Sequence, residues 1–178
     1  MKLNKRAVVL LVSLVVLLAV TVGTTIAFLA NKTPEVENTF TPSRVACAVN
    51  EVTKNQVYTV QNTGDTTAYI RAAVAGNWVN DAGHVYAKAP TYTVTPENTN
   101  WVLGSDGYYY YIKPVEAGAV IPEKLTVTVS SATPDGHTLQ VEVVASAIQA
   151  TVIAVNDWSN GVATAATDGA NLTVTKKQ

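Results

Sequence analysis

The stretch Thr67–Val79, which reads TAYIRAAVAGNWV, decides the fold. Ile70, Ala72, Val74 and Trp78 share one parity in it, with smaller or more polar side chains between most of them. Since successive side chains of a strand point to opposite faces, this pattern predicts a long strand with one face buried. Gly76 predicts a bulge or the close approach of a neighbouring segment.

Other segments of the chain show a similar alternation of apolar and polar residues, and turn residues separate these segments. The segments predicted as strands are Arg44–Val52, Gln56–Asn62, His84–Tyr86, Trp101–Leu103, Tyr108–Ile112, Leu125–Val129, His137–Gln149 and a last short strand at Asn171–Thr175. Turns are predicted at Asn62–Asp65, Asn80–Gly83, Gly104–Gly107 and Thr133–Gly136, where Gly, Asn and Asp favour reversal of the chain. The loop from Pro114 to Pro122 is expected to turn at Gly118, and the pair Val143-Val144 predicts a bulge.

These short strands predict an all-β protein, a single antiparallel β-sandwich of the jelly-roll or Ig-like type over residues 44–178. An N-terminal signal helix is expected to precede it. After that segment, only Ala150–Trp158 is expected to form a helical turn.

The first residues have the composition of a secretory signal. Lys2, Lys5 and Arg6 precede an apolar run from Ala7 to Val22. Thr25 and Ala27 form a small-x-small cleavage site with Phe28 as the new first residue, so residues 1–27 are predicted to be a signal peptide removed by a signal peptidase. The alternative is a retained signal anchor, because the apolar run is long enough to span a membrane. Either way, the protein is expected to be secreted or held at the cell surface or in the matrix, and to meet the membrane only through this segment.

Residues 28–43 are predicted to form an extended arm, because Pro34 and Pro42 disfavour a helix. Its strong hydrophobes are Phe28, Leu29, Val36 and Phe40. All thirteen acidic residues but only nine of the twelve basic ones follow Ala27, so the remaining chain has a net charge of −4. A mildly acidic chain without a basic cluster argues against nucleic acid as a partner.

The N-terminal motifs also resemble a known family. The signal end Gly23-Thr24-Thr25-Ile26-Ala27-Phe28, followed by Val36-Glu37-Asn38-Thr39-Phe40-Thr41, is similar to the SipW-dependent exported proteins of Gram-positive bacteria, the TasA and camelysin-like family. Later stretches add to the resemblance: Asn62–Asp65, Ala68–Val74, Gly104–Tyr111 and Ala147–Ala150. Family members usually read Gly-Gly-Thr-Tyr-Ala-Tyr-Phe-Thr-Asp at the signal end, and this chain has Val22 for the first Gly. The resemblance implies a jelly-roll sandwich and a matrix fibre subunit, or a camelysin-like metallopeptidase.

The chain contains little that points to catalysis. His84 and His137 are the only histidines, each beside a turn, and no His-Glu-x-x-His motif is present; two solvated turn histidines are favoured over a zinc site. Asp65, Asp81, Asp106 and Asp135 each belong to a turn that offers too few carboxylates for calcium. Gly104-Ser105-Asp106-Gly107 is not a nucleophile elbow. We therefore expect no enzyme and no cofactor. Cys47, the single cysteine, is either a small strand residue beside Val45 and Val49 or an intermolecular bridge.

Four consecutive tyrosines are the most unusual local feature. In a strand, Tyr108 and Tyr110 would face one side, and Tyr109 and Tyr111 the other. They would form either an aromatic surface for carbohydrate or another subunit, or a strand buried on one face with aromatic partners.

Three functions remain open on these grounds. The favoured one is an exported structural protein, a subunit of an extracellular fibre or biofilm matrix that self-associates through the arm of the next copy. The alternatives are a camelysin-like surface metallopeptidase and a membrane-anchored surface binding module.

Overall fold

The computed structural model describes residues 4–5, 8–10, 12–16 and 43–177. It divides into two compact units, Met1–Thr41 and Pro42–Gln178. In the first unit, the described residues from Lys5 onward are helical. No helix in the described ranges is long and apolar enough to cross a membrane.

The second unit is built almost wholly of strands, which confirms the predicted all-β sandwich. Its elements are β1 (Cys47–Thr53), β2 (Val57–Asn62), β3 (Ala68–Asn80), β4 (Tyr92–Pro96), β5 (Trp101–Leu103), β6 (Tyr109–Val115), β7 (Leu125–Val129), β8 (His137–Gln149), α1 (Val152–Ser159), β9 (Ala163–Ala165) and β10 (Leu172–Val174).

Two four-stranded antiparallel sheets form the sandwich. The first has the order β1-β2-β7-β4 and the second β5-β6-β3-β8. Their facing sides enclose a core to which the first sheet contributes Val60 and Leu125 and the second Ile70, Trp101 and Tyr111. Burial of this apolar surface is the main favourable contribution to folding.

The stretch identified first in the sequence is the central strand β3. It pairs with β8 in unbroken register from Ala68↔Gln149 to Asn80↔His137. Gly76 is the predicted site of close approach rather than a bulge, because a Cβ there would lie 3.1 Å from the Tyr92 ring. The bulge predicted at Val143-Val144 is wrong: the register continues through both residues, and Val144 is 56% exposed on the outer face.

A third layer covers the outer face of the second sheet. The helix α1 and the hairpin β9–β10 enclose Tyr69, Tyr110, Val155, Ala163 and Leu172 against that face. The predicted helical turn and last strand are confirmed as α1 and β10. The strand β9, which pairs with β10, was not predicted from the sequence. Its three residues are too few to show a recognisable alternation.

Several predicted boundaries differ for physical reasons. β1 begins at Cys47 rather than Arg44, because Arg44 and Ala46 hydrogen bond to the turn at Thr63–Asp65 instead of to a strand. β6 continues through Pro114 to Val115, so the predicted loop from Pro114 to Pro122 is wrong at its first two residues. Its register against β3 shifts between Ala68 and Ile70, and such an irregularity tolerates a proline without an N–H. The predicted hairpin to His84–Tyr86 is reduced to a single bridge, Val79↔Val85.

The turn at Asn62–Asp65 connects the two sheets through one buried side chain. Asn62 has no exposed surface, and its Nδ2 donates to the carbonyls of Thr66 (2.8 Å) and Val115 (2.9 Å). Its Oδ1 accepts from Gly64 N at 2.9 Å. A buried amide with all these bonds made holds the turn in one conformation.

Candidate interaction site at the open side of the sandwich

The sandwich has a cleft between β4, the edge of one sheet, and β5, the edge of the other. A cavity of about 500 Å³ is lined by Pro96, Asn98, Thr99, Trp101, Val102, Leu103, Lys176 and Lys177. A second cavity of about 300 Å³ shares Leu103 and Lys177 with it and adds Tyr92, Val94 and Tyr109. We refer to these two adjoining cavities as the β4–β5 cleft. At the other side of the sandwich, β1 and β8 lie close together.

The aromatic residues of the β4–β5 cleft have their polar atoms paired within the protein. Trp101 is 3% exposed and its Nε1 donates to Glu123 O at 2.9 Å. The Tyr92 hydroxyl donates to Val74 O at 2.9 Å and the Tyr109 hydroxyl to Val94 O at 3.3 Å. A ligand in the cleft would therefore meet these rings and aliphatic side chains, together with the polar residues that also line it, Thr93, Asn98, Thr99, Lys176 and Lys177.

The outer edge of β4 is only partly free, because Pro96 has no N–H and Val94 O accepts from the Tyr109 hydroxyl. β4 pairs with β7 on one side, and no described strand pairs with its other side. The end of β5 is partly covered, since Lys177 N donates to Leu103 O at 3.2 Å and Gly104 bridges Lys176. An exposed edge of this kind can accept a further strand.

Glu123 stabilises one end of the cleft. Its Oε2 accepts from the Tyr111 hydroxyl at 2.7 Å, and its Oε1 from Asn100 (2.6 Å) and Asn98 (3.1 Å). Burial acts to raise the pKa of Glu123, but these hydrogen bonds outweigh it and lower the pKa to about 2. Burial and the bond to the carboxylate raise the pKa of Tyr111. Glu123 is therefore an ionised structural acceptor at neutral pH.

The four tyrosines divide between the two faces of β6 as predicted, but they are not an exposed aromatic surface. Tyr111 (6% exposed) and Tyr109 pack in the core between the sheets. Tyr110 (0% exposed) and Tyr108 pack under the third layer. The prediction of a surface formed by all four is wrong, because the second sheet is covered on both faces.

An arginine that the sequence analysis did not single out organises the outer face. The Arg71 guanidinium lies 4.2 Å from the Tyr108 ring centroid and 4.3 Å from that of Trp158. Its Nη1 donates to Trp158 O at 3.0 Å and to the Tyr110 hydroxyl at 3.1 Å. Such stacking favours a guanidinium over an ammonium. These contacts hold α1 against the sheet.

Asp106 completes this cluster from the turn before β6. Its Oδ2 accepts from the Tyr110 hydroxyl at 2.7 Å and lies 3.8 Å from Arg71 Nη1. Burial and this bond raise the pKa of Tyr110 to about 12, although Arg71 acts in the opposite direction. With these contacts to Tyr110, Trp158 and Asp106, Arg71 has a structural role.

The outer edge of β8 is protected over only part of its length. Asn55, in a left-handed conformation (φ 55°), donates from Nδ2 to Leu139 O at 2.8 Å and accepts from Val141 N at 3.1 Å. A single amide thus replaces the two hydrogen bonds of a neighbouring strand. Protection of this kind limits edge-to-edge pairing.

The remaining predicted residues are not brought together. His84 is exposed, while His137 packs its ring 4.9 Å from Tyr86. Within the described part of the chain, no three His, Cys, Asp or Glu side chains are grouped to hold a metal ion. Cys47 is partly buried beside the core, and burial raises the pKa of its thiol. The cleavage residues Thr25, Ala27 and Phe28 and the arm residues Leu29, Val36 and Phe40 lie outside the described residues.

Comparison of the chain with protein-family models, curated proteins and solved structures finds no match. Its function must therefore be argued from its own residues.

The cleft itself could not be recognised from the sequence, because it depends on which strands lie at the edges. The sequence shows an apolar run at Trp101–Leu103 and a basic pair at Lys176-Lys177. Alternation of side chains along the chain does not indicate that these two segments lie next to each other.

Proposed function

We propose that this protein is an exported structural subunit that builds an extracellular fibre or matrix by inserting its N-terminal arm, residues 28–43, into the β4–β5 cleft of another copy. The observation that carries the proposal is the cleft between two edge strands, whose lining includes the apolar side chains of Trp101, Val102 and Leu103. An extended arm with Val36 and Phe40 on one parity could pair with the outer edge of β4 and place these side chains between the sheets.

Export is supported by the N-terminal sequence. A basic start, an apolar run and the pair Thr25 and Ala27 together have the form of a cleaved signal. Removal of residues 1–27 would free the arm, whereas a retained anchor would leave it tethered. The resemblance of the signal and arm motifs to the SipW-dependent family implies the same destination, a matrix fibre.

The placement of the two binding elements favours open assembly. Residues 44–46, which follow the arm, are hydrogen bonded beside β1, and the cleft is at β4, the other edge of the same sheet. A binding element at one edge and its acceptor at the other make a head-to-tail contact. Repetition of such a contact produces filaments when the rotation does not close a ring.

The test is assembly with and without the arm. The full chain is expressed in an exporting bacterial host, and the product outside the cell is purified, its mass measured, and concentrated samples imaged by negative-stain electron microscopy. We expect a mass that begins at Phe28, and fibres. Deletion of residues 31–40, which leaves the cleavage residues in place, is expected to abolish fibres.

A matched pair of variants makes the test specific. Val36→Ser with Phe40→Ser removes the apolar side chains and is expected to prevent assembly, because little apolar area remains to be buried. Thr33→Ala with Thr39→Ala changes as many residues on the other parity and should leave fibres intact. Fibres from the arm-deleted protein, or a product that retains residues 1–27, would contradict the proposal.

A further inference from the structure

We infer that Lys176 and Lys177, at the mouth of the β4–β5 cleft, recognise the acidic segment Glu35–Phe40 of a second copy and set the register of the inserted arm. This inference rests on the proposed function. Beyond that function, the inference specifies which part of the arm enters the cleft and which charged residues recognise that part.

The backbone holds both lysines beside the cleft. Ser105 N donates to Thr175 O at 2.9 Å, and Lys177 N donates to Leu103 O at 3.2 Å, so residues 175–177 follow the end of β5. Both lysine side chains are exposed and both line the larger cavity. Among the described residues, the single ion pair is Arg71–Asp106, so neither lysine has a carboxylate partner within 4.0 Å there.

Asp106, Glu97 and Glu123 lie close in the chain to lining residues or are hydrogen bonded to them, and each makes other contacts; Asp106 Oδ2 accepts from the Tyr110 hydroxyl at 2.7 Å. Glu97 Oε2 accepts from Lys124 N at 3.0 Å. Glu123 is held by Tyr111, Asn98 and Asn100. Among the side chains that the structure describes, the mouth of the cleft therefore presents two lysines that are not paired with a carboxylate.

The segment Glu35-Val36-Glu37-Asn38-Thr39-Phe40 has the complementary pattern. In an extended conformation, Val36 and Phe40 face one side, and Glu35 and Glu37 face the other. When the apolar pair enters the cleft, the two carboxylates remain at its mouth, where the lysines lie. Pro34 lacks an N–H and would end strand pairing just before this segment.

The segment is assigned to a second copy, as in the proposed fibre. Residues 44–46, which follow the arm, are hydrogen bonded beside β1, whereas the cleft lies at β4, the opposite edge of that sheet.

A charge-reversal experiment tests this inference on the exported full-length product. Lys176→Glu with Lys177→Glu is expected to raise the concentration needed for fibres about tenfold, because two attractions become repulsions. Glu35→Lys with Glu37→Lys should have the same effect, and since it changes only the arm, its effect is not a folding defect in the sandwich. The four substitutions combined should restore assembly.

The control is Lys54→Glu with Lys88→Glu, which alters net charge equally at exposed positions outside the cleft lining. It is expected to assemble like the unmodified protein. Normal assembly of the Lys176→Glu/Lys177→Glu variant, or no rescue by the four substitutions combined, would overturn the charge recognition while the arm deletion still tests the proposed function. Fibres without the arm would refute both.

Discussion

Individual residues determine how the two sheets are joined. Gly64 lies where the chain before β1 crosses the turn between β2 and β3. A Cβ at this position would overlap the carbonyl oxygen of Arg44 and lie 3.0 Å from Ala46 N. Gly64 is not among the described residues with a positive φ. Close approach of backbone is the reason that glycine is needed here.

Substitution of Gly64 should therefore be costly, whichever residue replaces it. We expect Gly64→Ala to lower the free energy of unfolding by about 1–3 kcal/mol, the range for overpacking, and Gly64→Asn to lower it further. Gly136 is the control, since it has φ 67° and no atom within 4 Å of an added Cβ. There Asn should be tolerated better than Ala, because Asn adopts the left-handed conformation more readily. Urea unfolding of the four variants measures this; equal responses at the two sites would contradict it.

Glu123 predicts a defined acid sensitivity. Its folded-state pKa of about 2 is below the usual value of about 4.3 in an unfolded chain. The stabilisation is therefore complete above about pH 4.3 and is lost as the pH falls toward 2. Because the carboxylate is partly exposed, we expect a loss on the order of 1 kcal/mol.

The measurement is urea unfolding of the protein and of Glu123→Gln between pH 6 and pH 2. The unmodified protein should be the more stable at pH 6, and the difference should shrink as the pH falls. If the difference in the free energy of unfolding between the two proteins did not depend on pH, the charge of the Glu123 carboxylate would contribute nothing to stability.

The strands β3 and β6 are central in the domain because both of their faces are covered. One face of each packs in the core between the sheets, and the other packs under α1 and β9–β10. α1 is only eight residues long, with its N-cap at Thr151. A helix of this length is unstable alone, so its stability must come from its contacts with the sheet and with Arg71.

Replacement of Arg71 tests this dependence. We expect Arg71→Leu to lower the free energy of unfolding by about 2–4 kcal/mol, because Asp106 loses its cationic neighbour and the stacked rings lose their contact. Arg71→Lys should recover little, since an ammonium cannot make the same planar contacts. In hydrogen exchange, amides of residues 152–165 should exchange faster while those of β1 and β2 change little. Uniform loss of protection across the domain would contradict a local role.

For the whole molecule, the decisive feature is the difference between the two sides of the sandwich. β1 and β8 lie close together, and Asn55 covers part of the β8 edge, whereas β4 and β5 are separated by the cleft. An open side with exposed apolar groups beside charged ones is a site for association. In the proposed fibre, the cleft accounts for affinity through apolar burial, and its lysines set the register of the arm through charge.

The separate contributions of apolar burial and of charge predict how assembly responds to salt. Attraction between exposed lysines and glutamates is screened when the Debye length falls from about 10 Å at 0.1 M to about 3 Å at 1 M salt, while apolar burial is not weakened. We therefore expect the critical concentration for fibres to rise a fewfold between 0.1 M and 1 M NaCl. The four-substitution charge-reversed protein should respond similarly, and the Lys176→Ala/Lys177→Ala variant should respond less. Light scattering measures both.

Much of the architecture could be predicted from the sequence by itself, because it depends on neighbours in the chain. Alternation in Thr67–Val79 and His137–Gln149 predicted the two long strands, and turn residues predicted most of their connections. The parity of Tyr108–Tyr111 predicted which pair faces which side.

Only the tertiary structure decided which strands lie at the edges, that the tyrosines are covered on both sides, and that Arg71 stacks on Trp158, 87 residues away. The cleft likewise combines β4, β5 and Lys177, which local pattern cannot relate. The physical reason is that periodicity reports the direction of a side chain relative to its own backbone, whereas the partner it meets is set by sheet order and packing across the whole chain.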